Sequence, residues 1–104
     1  MNTLTKTFGI EEVIGNKRNA LIQIAARHGA TNVRVFGSVA RGTAREESDL
    51  DLLVDQDWSR LSGWGGMELV ANLEDLLGRK VEIATPEELH WIIRDSILKE
   101  AVPL

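Results

Sequence analysis

Asp49, Asp51 and the pair Gly37-Ser38 are the residues of this chain whose types and spacing could do chemistry. The apolar run that follows Asp49, Leu50 to Val54, reads as a strand that the two acids open. In an extended chain successive side chains point to opposite faces, so Asp49 and Asp51 share one face while Leu50, Leu52 and Val54 take the other. The two carboxylates then stand about 6 to 7 Å apart on a rigid support. Like charges held that close repel, and a divalent cation between them is the simplest relief. Upstream, the strand-forming run at 33–36 stops at Gly37, and Gly37-Ser38 opens a short helical turn. Free backbone N–H groups at such a turn can receive an anionic phosphate. Metal ligands beside a phosphate cradle imply a nucleotide.

A third acid belongs to the same set or to none. Val81-Glu82-Ile83-Ala84 reads as a further short strand, with Val81 and Ile83 facing one way and Glu82 the other. If Val81 and Ile83 join the apolar face of Leu50, Leu52 and Val54, then Glu82 emerges beside Asp49 and Asp51. The periodicity serves equally well for an ordinary solvent-facing glutamate, and both readings stay open here. Arg41 and Arg45 lie on the motif helix and the loop after it, where they either steady phosphates or stand as solvated surface arginines. His28 falls in the last turn of the first helix and reads as a cation suited to the helix dipole, not as a ligand.

The elements that must position these groups follow from hydrophobic spacing. Ile10, Val13, Ile14, Leu21, Ile24 and Ala25 predict one amphipathic helix over 10–28, stopped by Gly29. After the two strands around the motif comes a Gly- and Ser-containing connection over 55–66. Its Trp58 and Trp64 are expected to cover a satellite cluster under the loop, with base stacking or partner contact as the alternative. A helix over 67–77 presents Leu69, Val70, Leu73, Leu76 and Leu77 to the sheet and is capped by Gly78. The final helix is expected to start at Thr85 and Pro86 and to run to about Ala101, with Leu89, Ile92, Ile93 and Ile97 as its inner stripe. Trp91 and Leu98 then fall on the far side, where they are expected to be exposed or covered by a partner or a second copy. Pro103 ends any helix. Helix, strand, motif helix, strand, helix, strand, helix is an α+β order, in one domain over 1–104.

Composition narrows the class of function. With 104 residues the chain has room for one modest core and one site. A net charge of −4 offers no basic stripe for a nucleic-acid backbone, so direct nucleic-acid binding is disfavoured. The absence of cysteine excludes disulfides, zinc-thiolate sites and thiol catalysis. The opening MNTLTKTFGI lacks the apolar core of a signal peptide, and no stretch approaches the roughly 18 apolar residues of a membrane span, so the cytoplasm is the expected compartment.

Gly37-Ser38, ten residues, then Asp49-Leu50-Asp51 resembles the Gly-Ser-x10-Asp-x-Asp signature of the polymerase-beta-like nucleotidyltransferases. The similarity extends through Gly42, Asp51 to Val54, the segment 78–83 and the ending 98–104, and only the loop 58–66 stands outside it. The short length is similar to the minimal nucleotidyltransferase branch, the antitoxin half of HEPN/MNT toxin-antitoxin pairs. The resemblance implies a small fold with a short mixed sheet, three-stranded or slightly larger, and helices packed on one face. It implies AMP transfer from ATP to a tyrosine of a partner HEPN ribonuclease toxin, with Mg2+ as cofactor. Gly37 and Ser38 become the triphosphate grip, Asp49 and Asp51 the metal ligands, and Glu82 the third catalytic and metal-binding carboxylate. In that family the third position is more often aspartate; the extra methylene here displaces the carboxylate by about 1.5 Å. The chain contains no tyrosine, so a tyrosyl acceptor must come from a partner. Two other functions compete: an antitoxin that only binds and blocks its toxin, and a small-molecule nucleotidyltransferase akin to aminoglycoside-modifying enzymes, for whose extra substrate-binding domain the chain is too short.

Overall fold

The computed structural model describes residues 6–61 and 64–104. In chain order these form α1 (Ile10–Val13), α2 (Arg18–Arg27), β1 (Ala30–Phe36), α3 (Gly37–Arg41), β2 (Leu50–Gln56), α4 (Met67–Leu77), β3 (Val81–Ala84), α5 (Trp91–Glu100) and β4 (Val102–Pro103). Single 3-10 turns occupy Gly15–Lys17, Trp58–Arg60 and Pro86–Glu88. Residues 1–5, part of the N-terminal stretch read above for a signal peptide, lie outside the described residues, as do 62–63 within the tryptophan-bearing connection. Among the described residues no helix is long and apolar enough to cross a membrane.

The strands form a four-stranded mixed sheet in the order β3-β2-β1-β4. β1 is antiparallel to β2 and β4, whereas β2 and β3 are parallel, the crossover between them being α4. The α+β expectation holds, with one strand more than the minimum. Leu50, Leu52 and Val54 form the centre of the buried face together with Val33, Val35 and Val81, and Leu21, Ala25, Leu69 and Leu73 of α2 and α4 cover them. Alternation in β1 slips one position between Ala30 and Val33, both buried, because a bulge shifts the register between Thr31 and Arg34 and Asn32 turns to φ 50°.

Two helices depart from the sequence reading. The helix expected over 10–28 is broken after α1, where Gly15 adopts φ 51°, a left-handed value that an α-helix cannot continue through. Ile14 remains buried at the break, so both halves still reach the core. The final helix starts at Trp91, five residues later than expected. Thr85 and Glu88 do form a reciprocal capping box, but it closes only the Pro86–Glu88 turn. Leu89 and His90 then run extended, and His90 Nδ1 caps α5 by accepting from the Ile92 N–H at 3.2 Å.

The inner stripe of that helix is not inside. Ile92 is 65% and Ile93 48% exposed, beside Trp91 at 74% and Leu98 at 41%. α2 and α4 already occupy the apolar sheet face, and α5 lies instead against α3. Nor is the opposite sheet face bare throughout, since Leu53, on the same side of β2 as Asp51, is fully buried. Beyond α5 the chain adds a strand: Val102 pairs with Val35 and Pro103 with Arg34, and Leu104 N–H donates to Val33 O at 2.9 Å. Pro103 is tolerated there because β4 is an edge strand.

Candidate active site

β1 delivers the Gly37-Ser38 turn and β2 the first acids, so their antiparallel pairing decides what meets. Phe36, the last residue of β1, lies opposite Asp51, which places Gly37 against the Asp51 side chain. Gly37 has φ 76°, and a Cβ there would come within 3.2 Å of Asp51 Cγ. Both facts require glycine. Gly37→Ala is therefore expected to cost on the order of 1 to 3 kcal/mol and to lower the melting midpoint by at least about 4 °C, measurable by circular dichroism; an unchanged midpoint would contradict the close approach.

β3 brings the third acid. Glu82 lies opposite Asp51 in the parallel register, so the reading that puts it on the carboxylate face is the one the backbone adopts. Asp49 sits immediately before β2, where Leu50 N–H donates to Lys80 O at 2.8 Å and ties the start of β2 to β3. Burial, then the charges of Glu82 and Asp49, push the Asp51 carboxyl up to about 6, and Arg41 opposes them. Among the described residues no three His, Cys, Asp or Glu side chains close a metal cage on their own. The donors here are all oxygen and face outward from a sheet. That suits Mg2+, which binds through one or two carboxylates and keeps its remaining positions for water and substrate phosphate. Asp49 and Asp51 fit that role, with Glu82 beside them.

The loop between α3 and β2 is clamped from behind. Arg79 Nη1 donates to Arg45 O at 2.9 Å and to Ser48 O at 2.6 Å, and its guanidinium lies 5.5 Å from the Phe8 ring centroid. This fixes the approach to Asp49. The Arg45 side chain itself is exposed, with no ion pair among the described residues, whereas Arg41 is held at the site. Glu100, the last residue of α5, accepts from Gly37 N–H at 2.8 Å and from Arg41 Nη1 at 2.6 Å. The bond from Gly37 and then that from Arg41 hold its carboxyl below the usual carboxylate range. Sequence reasoning missed Glu100, which neither spacing nor periodicity connects to Gly37 across 63 positions. Its only signal was a place in the ending 98–104.

The other residues singled out lie elsewhere. His28 ends α2 and contacts Asn72 Nδ2 at 3.3 Å, a link between helices. Trp58 is 56% and Trp64 77% exposed, so neither covers a satellite core. Trp58 lines a cavity of about 570 Å3 with Leu61, Met67, Val70 and Ile83, and none of Asp49, Asp51 and Glu82 borders it. The three carboxylates sit on the sheet, not in that hollow.

Residues 18–104 match the sequence profile of the family described as nucleotidyltransferase domain. The chain is 37% identical over 81 residues to protein adenylyltransferase MntA of Thermococcus cleftensis, covering 77% of this chain and 80% of that protein. A solved structure described as a minimal nucleotidyltransferase is 48% identical and superposes with a TM-score of 0.74, covering 85% of this chain and 89% of that one. A chain from a crystal structure of a toxin-antitoxin with AMP-PNP shares the fold at 20% identity, with a TM-score of 0.67 over 82% of this chain and 69% of that one. A strand-turn-helix that sets Gly37-Ser38 against an Asp-x-Asp strand is thus found together with the family's sequence profile, and the chain belongs to the nucleotidyltransferase domain family.

Proposed function

We propose that this protein is an antitoxin that transfers AMP from ATP to a tyrosine hydroxyl of a partner HEPN ribonuclease toxin and thereby silences it. The observation that carries the reading is the register pairing of Asp51 with Glu82 beside the Gly37-Ser38 turn. A chemistry that joins a polyanion to a hydroxyl needs all three parts. Mg2+ held by Asp49 and Asp51 would neutralise the triphosphate and align its α-phosphorus for in-line attack. Ser38, with its N–H and hydroxyl at the opening of α3, grips the phosphates. Glu82 takes the proton of the attacking hydroxyl, a new oxygen–phosphorus bond forms at the α-phosphorus, and pyrophosphate leaves. A tyrosyl acceptor has to come in trans, because this chain contains none. The named relative and the AMP-PNP-bound neighbour support ATP as donor and a toxin as partner.

Incubation with ATP, Mg2+ and the protein encoded beside it in the genome tests the reading by mass. The partner is expected to gain units of about 329 Da, the AMP residue of this transfer chemistry, on a tyrosine. A stable complex with no mass gain would instead establish an antitoxin that acts by binding alone. The partner is expected to dock on α5, whose exposed Trp91, Ile92, Ile93 and Leu98 run toward the end that holds the phosphate turn. Trp91→Ala is expected to weaken the complex by about 2 kcal/mol with an unchanged melting midpoint of the free chain. Calorimetric titration against the partner checks this, and undiminished affinity would remove α5 from the interface.

A further inference from the structure

We infer that Glu100 is a positioning residue of the nucleotide site, acting through Gly37 and Arg41; the inference rests on the reading above that ATP is held at the Gly37-Ser38 turn. One carboxylate makes both bonds, with Oε2 accepting from the Gly37 N–H and Oε1 from Arg41 Nη1. These donors stand at the two ends of α3, so a single side chain spans the whole helix. The helix needs such help. It has five residues and no side-chain N-cap, and a helix so short does not hold itself together.

The carboxylate is delivered by a rigid corner of backbone. Ala101 N–H donates to Ile97 O at 2.9 Å to close α5, and the next residue, Val102, is already paired with Val35 in the sheet. Glu100 is therefore referenced to the same β1 strand that leads into Gly37. Arg41 is the second reason. Its guanidinium is half exposed and offsets the negative charge around Asp51, yet only Nη1 is engaged by Glu100. Among the described residues the remaining donors have no partner, and they can meet an anion in an orientation that Glu100 sets. The opposite role, an internal anion that phosphate must displace, requires the carboxylate to withdraw. The β4 hydrogen bonds hold its backbone in place, and the two roles predict effects of opposite sign.

Calorimetric titration of ATP with Mg2+ into wild type, Glu100→Asp, Glu100→Gln, Arg41→Ala and the Glu100→Gln/Arg41→Ala double variant separates them. Glu100→Asp keeps the charge and withdraws the carboxylate by about 1.5 Å. Both single Glu100 variants are expected to bind ATP at least about tenfold more weakly, with melting midpoints close to wild type and a moved Gly37 amide resonance. The double variant is expected to bind no more weakly than Arg41→Ala by the full Glu100 factor, since groups acting through one another are not additive. Binding equal to or tighter than wild type in either Glu100 variant overturns the inference, as does full additivity with Arg41→Ala. Failure of Glu100→Asp to fold would also overturn it, by making the role purely structural. Absence of ATP binding in wild type is a separate outcome that defeats the nucleotide reading itself, leaving Glu100 nothing to position.

Discussion

Joint replacement of Asp49 and Asp51 by asparagine is expected to reduce AMP transfer by at least about a thousandfold, the scale seen when groups that act as a catalytic unit are removed. The same change should not unfold the protein and should stabilise it near neutral pH. In the fold the Asp51 carboxyl is pushed from 3.8 up to about 6, by burial first and by Glu82 and Asp49 next, so the folded state disfavours the charged form. Below about pH 4 the carboxyl is protonated folded or unfolded, and it costs nothing. Between 3.8 and about 6 the folded chain holds a proton that the unfolded chain has released, so stability falls as pH rises through that window. Above it the full cost remains. With solvent screening allowed for, Asp51→Asn should recover about 1 kcal/mol at pH 7, a rise of roughly 4 to 8 °C in melting midpoint for a domain of this size. Melting curves at neutral and acid pH, run beside the transfer assay, check both halves. Retained transfer, or a loss of stability at neutral pH, would contradict the roles assigned to the pair.

Removal of divalent metal is expected to weaken ATP binding by at least about a hundredfold. Asp51, Asp49 and Glu82 face the space assigned to a polyanion, and a single pair of unit charges about 6 Å apart repels by about 3 kcal/mol at an effective dielectric of about 20. Arg41 offers one cation against them. Titration of ATP in EDTA and in Mg2+ gives the ratio directly. Equal affinity in the two would mean that the carboxylates hold neither the metal nor the phosphate side of the substrate.

The carboxylate geometry was legible because period-two alternation is local. Asp51 and Leu52 needed only their own strand to be assigned opposite faces, whereas Glu82 stayed open between the carboxylate face and plain solvent. What chooses between faces is pairing, and the parallel register that sets Glu82 opposite Asp51 depends on α4 crossing over between β2 and β3, which no short window contains. The misread helices have local causes of another kind. Gly15 carries an apolar pattern across a break because Val13 and Ile14 before it and Leu21 after it all face the core, so periodicity alone could not reveal the left-handed turn. Thr85, Pro86 and Glu88 are sound start signals, but Leu89 and His90 leave the helical region and the signals serve one turn only. Ile92 and Ile93 show the limit of hydrophobic spacing: it predicts which residues share a face, not whether the fold has a surface left for that face to cover. Glu100 was invisible for the simplest reason. Its partners are Gly37 and Arg41, and only the folded chain brings them near.

The central claim, transfer of AMP to a partner protein, is tested most directly by which phosphorus of ATP moves. The protein, its partner and Mg2+ are incubated in parallel with ATP labelled at the α-phosphorus and with ATP labelled at the γ-phosphorus, and the partner is isolated from each. Attack at the α-phosphorus with departure of pyrophosphate predicts label on the partner from the first and none from the second. Label from γ-ATP would make the reaction a phosphoryl transfer, and label from neither would leave Asp49, Asp51 and Glu82 without the chemistry assigned to them.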